Sequence, residues 1–262
     1  MGSSAFYEAL SADYDRFVDW HARLAFELPF LLKLLEARQA REVLDVACGT
    51  GQHAIALAKA GYNVTAVDIE EAMVARARRN AAASSVQVDV RQLGFGELAT
   101  GLGRPFDAIT CLGNSLPHLL TEQALAKALR DMVSLLRPGG ILVVQTRNFD
   151  RVLANRERFM PPEVHRLDDE EWLFMRYYDF GDDLGLKDAA QLRFNMLRLH
   201  RQGHAPWSVQ WSATSLRAWQ AAELIAAFQE AGLHVVGTYG SFQGEPFAPK
   251  SPDLLLVADH PA

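Results

Sequence analysis

The chain has 262 residues, 49% of them apolar, and a formal net charge of −6. That length and apolar content predict one domain with a sizeable core, and the acidic balance argues against a nucleic-acid surface, which needs clustered Lys and Arg. Two cysteines exclude a disulfide framework; with no signal-peptide pattern and no bilayer-length apolar run, the expectation is a reduced, cytoplasmic setting and no membrane contact.

Phe6 to about Leu35 reads as an aromatic-rich helical cover that Pro29 breaks or restarts. Val43 to Val46 reads as a buried strand, followed by a glycine-rich turn, a helix over Ala54 to Ala58, and Gly61 as its stop. A second strand ends at Asp68, and Glu70 to Ala83 is helical, its Arg76, Arg78 and Arg79 read as cations favoured by the helix dipole. Val86 to Val90 alternates and predicts the third strand, and Gly94 to Pro105 reads as a solvent-facing loop. Phe106 to Leu112 is the fourth strand and Thr121 to Leu136 an amphipathic helix; Arg137-Pro138-Gly139-Gly140 then turns into a fifth strand, Ile141 to Gln145.

Beyond this point the pattern changes. Phe149 to Asp169 reads as an irregular lid or crossing loop; Trp172 to Phe180, Gln191 to His200 and Trp207 to Ala213 predict a small antiparallel sheet. Ser215 to Ala231 reads as the last helix, and His234 to Tyr239 with Asp253 to Ala258 as a closing hairpin. The expected organisation is therefore a cover (1–40), a core (41–150), a lid with its insertion (151–213) and a closing unit (214–262). Strands alternating with helices imply an α/β fold, a parallel sheet covered on both faces, with ligands bound beyond the strand carboxyl ends.

The chemistry concentrates at Val43-Leu44-Asp45-Val46-Ala47-Cys48-Gly49-Thr50-Gly51-Gln52-His53-Ala54. Gly49 and Gly51 let the backbone turn sharply against a ligand, and the next helix aims its N–H groups into the same space. The stretch formally fits the dinucleotide fingerprint G-x-G-x-x-G/A. Asp45 separates the two readings: a carboxylate at the mouth repels a pyrophosphate and attracts a cationic ligand bearing ammonium and sulfonium groups. Asp68 sits at the distance of a ribose-binding acid and suits either cofactor.

The pattern of an acid before G-x-G resembles the class I methyltransferases that use S-adenosylmethionine (SAM) and release S-adenosylhomocysteine. That resemblance implies a Rossmann-like, seven-stranded, mostly parallel sheet. It also implies SAM contacts from Asp45, Ala47, Gly49, Gly51, Asp68, Ile69, Met73, Asp89, Val90, Leu112 and Gly113. Asp89 would accept from the adenine amino group and the Val90 N–H would meet a ring nitrogen. The sequence around Tyr14-Asp15 resembles the element that closes over the methionyl end of SAM.

A narrower resemblance lies in Cys111-Leu112-Gly113-Asn114-Ser115-Leu116-Pro117-His118-Leu119 and Arg147-Asn148-Phe149-Asp150. Both are similar to motifs of the glycine N-methyltransferase and glycine/sarcosine methyltransferase group, which would give Asn114 and Arg147 the acceptor's carboxylate and place Tyr178 or Tyr177 over it. A guanidinium fork plus an amide donor suits that anion. From the residues alone, Asn114 could instead cap the following helix, Arg147 could pair with Asp150 or Glu163, and His118 reads as structural. Gly240-Ser241-Phe242-Gln243 is similar to that group's G-D-F-Q, with Ser241 in place of the acid.

The implied function is methyl transfer to the amine of a small carboxylate-bearing molecule, with Tyr14, Asn114, Arg147 and Tyr178 at the acceptor. The alternatives are methylation of N or O on another small metabolite or natural product, or a SAM-binding regulator without turnover. Related enzymes include oligomers, which leaves a homo-oligomer open. His and Cys are scattered without ligand spacing, so no metal is expected.

Overall fold

Strands apolar on both faces need helices above and below them, and the chain supplies these in alternation. The computed structural model describes residues 6, 15, 18–186, 188 and 190–261. Its first half runs α1 (Trp20–Ala37), β1 (Glu42–Val46), α2 (Gln52–Lys59), β2 (Asn63–Asp68), α3 (Glu71–Ala83), β3 (Asp89–Gln92), α4 (Leu98–Leu102), β4 (Phe106–Cys111), α5 (Glu122–Ser134) and β5 (Leu136–Arg147). Then follow α6 (Phe149–Asn155), β6 (Glu163–Leu167), β7 (Glu170–Phe180), β8 (Gln191–Gln202), β9 (Ser208–Arg217), α7 (Ala221–Glu230), β10 (His234–Tyr239) and β11 (Asp253–Asp259).

The main sheet has seven strands in the order β10-β11-β5-β4-β1-β2-β3. Strands β1 to β5 pair in parallel, and β11 runs antiparallel to both its neighbours. Alternation along β1 sends Val43 into one apolar layer, with Leu31, Leu35, Ala54 and Leu57, and Leu44 into the other, with Phe106, Leu129, Leu224 and Phe228. The order reverses direction beside β1, where its loop and that of β4 diverge and open a crevice. A separate four-stranded antiparallel sheet, β6-β7-β8-β9, follows β5 in the chain.

Local chemistry accounts for where the elements depart from expectation. The third strand begins at Asp89, not Val86, because the Val86 N–H bonds back to the Ala81 carbonyl and closes α3. Helix α1 runs through Pro29, with Leu31 and Leu35 packed on the domain. The stretch from Gly94 to Pro105 contains α4, whose Leu98 and Leu102 are buried and whose first N–H groups bond the Asp131 carboxylate. Arg137 to Gly140 lies within β5 as a bulge, since Phe106 pairs with Leu136 and Ala108 already with Ile141. The expected lid carries α6 and β6. The last helix starts only at Ala221, after a Gln220–Glu223 capping box, because Ser215 to Arg217 continue β9 against Gln191 to Arg193.

Candidate active site

The loop after β1 turns by three left-handed residues, Ala47 and Gly49 at φ 56° and Gly51 at φ 80°. A Cβ on Gly51 would lie 2.9 Å from the Ala77 Cβ, so this glycine allows α2 to pack on α3 as well as forming the turn. Asp68, closing β2, fixes the loop: one carboxylate oxygen accepts the Gly49 N–H at 2.8 Å, the other the Glu70 N–H at 2.9 Å. Asp45 Oδ1 accepts from the Thr110 hydroxyl at 2.8 Å, whereas its buried Oδ2 has no partner among the described residues. Burial pushes both the Asp45 and the Asp68 carboxyl above the usual range. A cationic ligand reaching Asp45 Oδ2 would add to the His53 charge, which offsets burial only in part.

These groups open onto a cleft of about 400 Å³ that also holds Ala47, Cys48, Ile69, Met73, Leu112 and Gly113. Ile69 is 61% exposed, and a Cβ on Gly94 would come within 2.8 Å of its Cδ1, so Gly94 keeps that side of the slot open. Leu93 and Phe95 complete the apolar end, and Trp20 and Arg23 of α1 stand over the cleft from the cover.

Asp89 and Val90 do not reach it. Asp89 pairs with Thr65, while Asp68 at the carboxyl edge faces Gln92. The Asp89 carboxylate is exposed and ion-paired with Arg91 at 2.8 Å, and Arg78 bonds the Val90 carbonyl. The later start of β3 moves the cleft positions on to Leu93, Gly94 and Phe95.

A second cavity, about 450 Å³, shares Arg23, Gly113 and His118 with the first and is lined further by Asn114, Arg147, Arg176, Tyr178 and Asp253. Asn114, at φ 68°, caps no helix: its Oδ1 accepts the Arg147 N–H at 2.9 Å, and Thr121 caps α5. The Gly113 N–H bonds Gln145 Oε1 at 2.8 Å, and Gln145 in turn bonds Asp253 at 3.0 Å. Burial pushes the Asp253 carboxyl up, against the pull of the nearby Arg147 charge.

Arg147 takes neither structural partner expected of it. Asp150 accepts the Ala221 N–H at 2.9 Å, and Glu163 pairs with Arg176. Tyr178 packs between Phe149 and Phe194, and burial, outweighing the Arg147 and Arg176 charges, keeps its phenol protonated. Tyr177 lies beside Phe159 instead. Tyr14 lies outside the described residues.

Between the cavities sits a cluster that the motifs did not single out. Buried Glu27 accepts from Arg23 at 2.8 Å and contacts His53 Nε2 at 2.5 Å. Burial works against the Glu27 anion, but the His53 hydrogen bond and the Arg23 and His53 charges hold its carboxyl below the usual range. The Arg23–Glu27 spacing of four is readable on a helix; the His53 contact, from α2, is not. Burial pushes His118 down to about 4, so it is neutral near pH 7.

Sheet order and the glycine turn after β1 give the chain the class I methyltransferase fold. Residues 43–140 match the model of a methyltransferase domain. Among curated proteins, the glycine/sarcosine N-methyltransferase of Parasynechococcus marenigrum is 40% identical over 148 residues, 56% of this chain and 52% of that protein. The chain spans about half the length of the curated relatives it matches. Over nearly the whole chain, a SAM-dependent methyltransferase from Clostridium acetobutylicum superposes with a TM-score of 0.77 at 14% identity, covering 98% of each chain. The CcbJ methyltransferase of Streptomyces caelestis gives 0.74 at 25% identity, over 97% of this chain and 96% of its own.

Proposed function

We propose that the protein transfers a methyl group from SAM to the amine of a small carboxylate-bearing acceptor of the glycine and sarcosine kind. The observation that carries this reading is Arg147. Its two neighbouring arginines on the acceptor cavity are neutralised, Arg23 by Glu27 and Arg176 by Glu163. Arg147 has no ion pair within 4.0 Å among the described residues, which leaves its guanidinium for an anion that enters the cavity. The relatives named as glycine/sarcosine methyltransferases support the same acceptor class.

In this reading Asp45 faces the cationic methionyl part of SAM, Asp68 takes the ribose hydroxyls, and Ile69, Met73, Leu93 and Phe95 enclose the adenine. Asp68 has both oxygens on backbone N–H groups, yet each keeps a lone pair for a hydroxyl. SAM supplies an electrophilic methyl on a good leaving group, so the protein's work is positioning and water exclusion. Arg147 holds the acceptor carboxylate, helped by the remaining Asn114 amide donor, and Tyr178 forms the wall. The shared boundary of Arg23, Gly113 and His118 is where the amine meets the methyl. A histidine titrating near 4 is too weak a base to deprotonate an ammonium, so the acceptor enters as the neutral amine or yields its proton to water.

A second reading is favoured by size. A cavity of about 450 Å³ far exceeds five heavy atoms; at about 30 Å³ per water, glycine displaces roughly two or three waters. A bulkier amine, with an apolar part against Phe194 and Met196, fills more of it.

Mass-detected methyl transfer from SAM tests both, with glycine, sarcosine, dimethylglycine and no acceptor in parallel. Turnover on one of the three supports the first reading. Tight SAM binding with silence on all three overturns it in favour of larger amines.

A further inference from the structure

The Arg147 guanidinium has a neighbour of opposite sign. Asp253 opens β11 directly across from Arg147 in the antiparallel pairing with β5. Residues opposite one another on neighbouring strands project from the same face, with Cβ atoms about 4.5–5.5 Å apart. Both line the acceptor cavity, yet their charged ends form no ion pair within 4.0 Å. Gln145, two residues before Arg147 and on the same face, accounts for the gap: its Nε2 donates to Asp253 Oδ1 at 3.0 Å and holds the carboxylate. The Asp253 backbone is fixed as well, its N–H bonded to the Gly240 carbonyl at 3.1 Å. Oδ2 accepts no hydrogen bond among the described residues and is left to the cavity.

The other acids of the cavity are already engaged. Glu27 is held by Arg23 and His53, Glu163 pairs with Arg176, and Asp19 caps α1 at the Ala22 N–H. Asp253 is also tied to the cofactor side. The Gln145 that holds it accepts the Gly113 N–H at 2.8 Å, and Gly113 borders both cavities. The free oxygen of Asp253 thus belongs to a carboxylate that has Arg147 as its cross-strand neighbour and lies two hydrogen bonds from the boundary between cofactor and acceptor.

We propose that Asp253 binds the ammonium of the acceptor and takes its proton before methyl transfer, an assignment that rests on the acceptor reading above. An amino acid presents a carboxylate and an ammonium one carbon apart, and Arg147 and Asp253 present the complementary charges on adjacent strands. One ammonium proton passes to Oδ2. The freed nitrogen lone pair then bonds the methyl carbon as the carbon–sulfur bond breaks, its electron pair going to sulfur. The methylated ammonium leaves, and Asp253 returns its proton to water. The surroundings suit this task. Burial, with the Glu27 charge, raises the Asp253 carboxyl, while Arg147, Gln145 and Arg23 pull it down. An acceptor carboxylate on Arg147 offsets the largest of these pulls, so binding strengthens the base in the same step.

Calorimetry of glycine and of acetate, each added to the chain saturated with S-adenosylhomocysteine, tests the ammonium contact. The wild type is expected to bind glycine more tightly than acetate. Asp253→Asn, which keeps an oxygen for Gln145, should bind glycine at least about 10-fold more weakly and acetate no more weakly, whereas a merely structural Asp253 would weaken both. Arg147→Ala should lose both ligands. Kinetics follow the proton. Wild-type kcat/KM should level off between the pKa of Asp253 and that of the acceptor amine; Asp253→Asn, at least about 100-fold slower at pH 7, should climb about tenfold per pH unit up to the amine's own pKa. Should that variant not fold, the wild-type profile decides: a plateau supports the base, and a continuous climb overturns it. Unchanged glycine affinity or an unchanged pH profile in folded Asp253→Asn, with both ligands lost in Arg147→Ala, overturns the role of Asp253 and leaves the acceptor reading standing. A wild type that binds neither ligand overturns both.

Discussion

Replacing Arg147 by alanine separates the acceptor role from a structural one. The guanidinium has no ion pair within 4.0 Å among the described residues, so its loss removes only the side-chain stem and the charge that works against burial of the Asp253 carboxyl. Folding stability is expected to change by about 0.5 kcal/mol or less, or about 1–2 °C in Tm for a chain of this size. The effect on the bound acceptor is larger. A carboxylate deprived of its charge-assisted fork in an enclosed cavity loses about 2–4 kcal/mol, a fall of roughly 30- to 1,000-fold in kcat/KM for the acceptor. Arg147→Lys restores charge without the planar fork and is expected to recover part of that loss. Steady-state kinetics with saturating SAM and the acceptor found active, alongside thermal melts, provide the measurement. The reasoning is refuted by an Arg147→Ala variant that melts well below the wild type and keeps its kcat/KM.

Three other changes probe the cofactor side. Asp45→Asn removes a carboxylate whose folded-state pKa burial has raised. Such a group penalises folding once pH exceeds that pKa and not below the unfolded value, so the variant's cofactor-free Tm should rise at pH 7 and rise less near pH 4. Its SAM affinity by calorimetry should nevertheless fall about 10- to 100-fold, and an unchanged affinity would separate Asp45 from the ligand. Glu27→Gln leaves His53 and Arg23 without their anion and is expected to cost about 3 kcal/mol at pH 7 by denaturant unfolding. Because the wild-type Glu27 carboxyl is held low, its contribution is full above the unfolded carboxyl's range and fades as pH falls through the folded pKa. The wild-type and Glu27→Gln stability curves should therefore converge on acidification; parallel curves would exclude the ion pair as the source. Gly51→Ala, at φ 80° with Ala77 Cβ at 2.9 Å, should destabilise by about 1–3 kcal/mol. Adding Ala77→Gly should relieve only the steric share; full rescue would show that the backbone is unstrained.

Signals confined to a few neighbouring residues were legible in the sequence. The turn at Gly49 and Gly51, the acids at Asp45 and Asp68 and the alternation of strands with helices follow from backbone sterics, dipoles and periodicity, which act over a turn or two. The fold class followed from these. Asp89 marks the limit: Val86 to Val90 alternates as a strand should, but the Val86 N–H closes α3, and the shift takes Asp89 away from the cleft. Periodicity specifies a strand's faces and leaves its register along a neighbour to tertiary packing.

The site beyond the glycine turn was decided by contacts between distant segments. Glu27 stands among apolar residues of α1, and only the packing of α1 on α2 brings it to His53. Asn114 and Arg147 were visible as motif residues. Yet it took the β4–β5 pairing to spend the Asn114 oxygen on the Arg147 backbone, and the placement of Asp150 and Glu163 against other partners to leave the Arg147 guanidinium available. The facing of Arg147 and Asp253 is the same kind of result, since the two become neighbours only through the register of β5 and β11. The sequence by itself determined the glycine turn after β1 and the alternation of strands with helices, because those energies are short-ranged. Which charges remain unpaired and which cavities adjoin were decided by tertiary structure alone, because each depends on which remote groups finally meet.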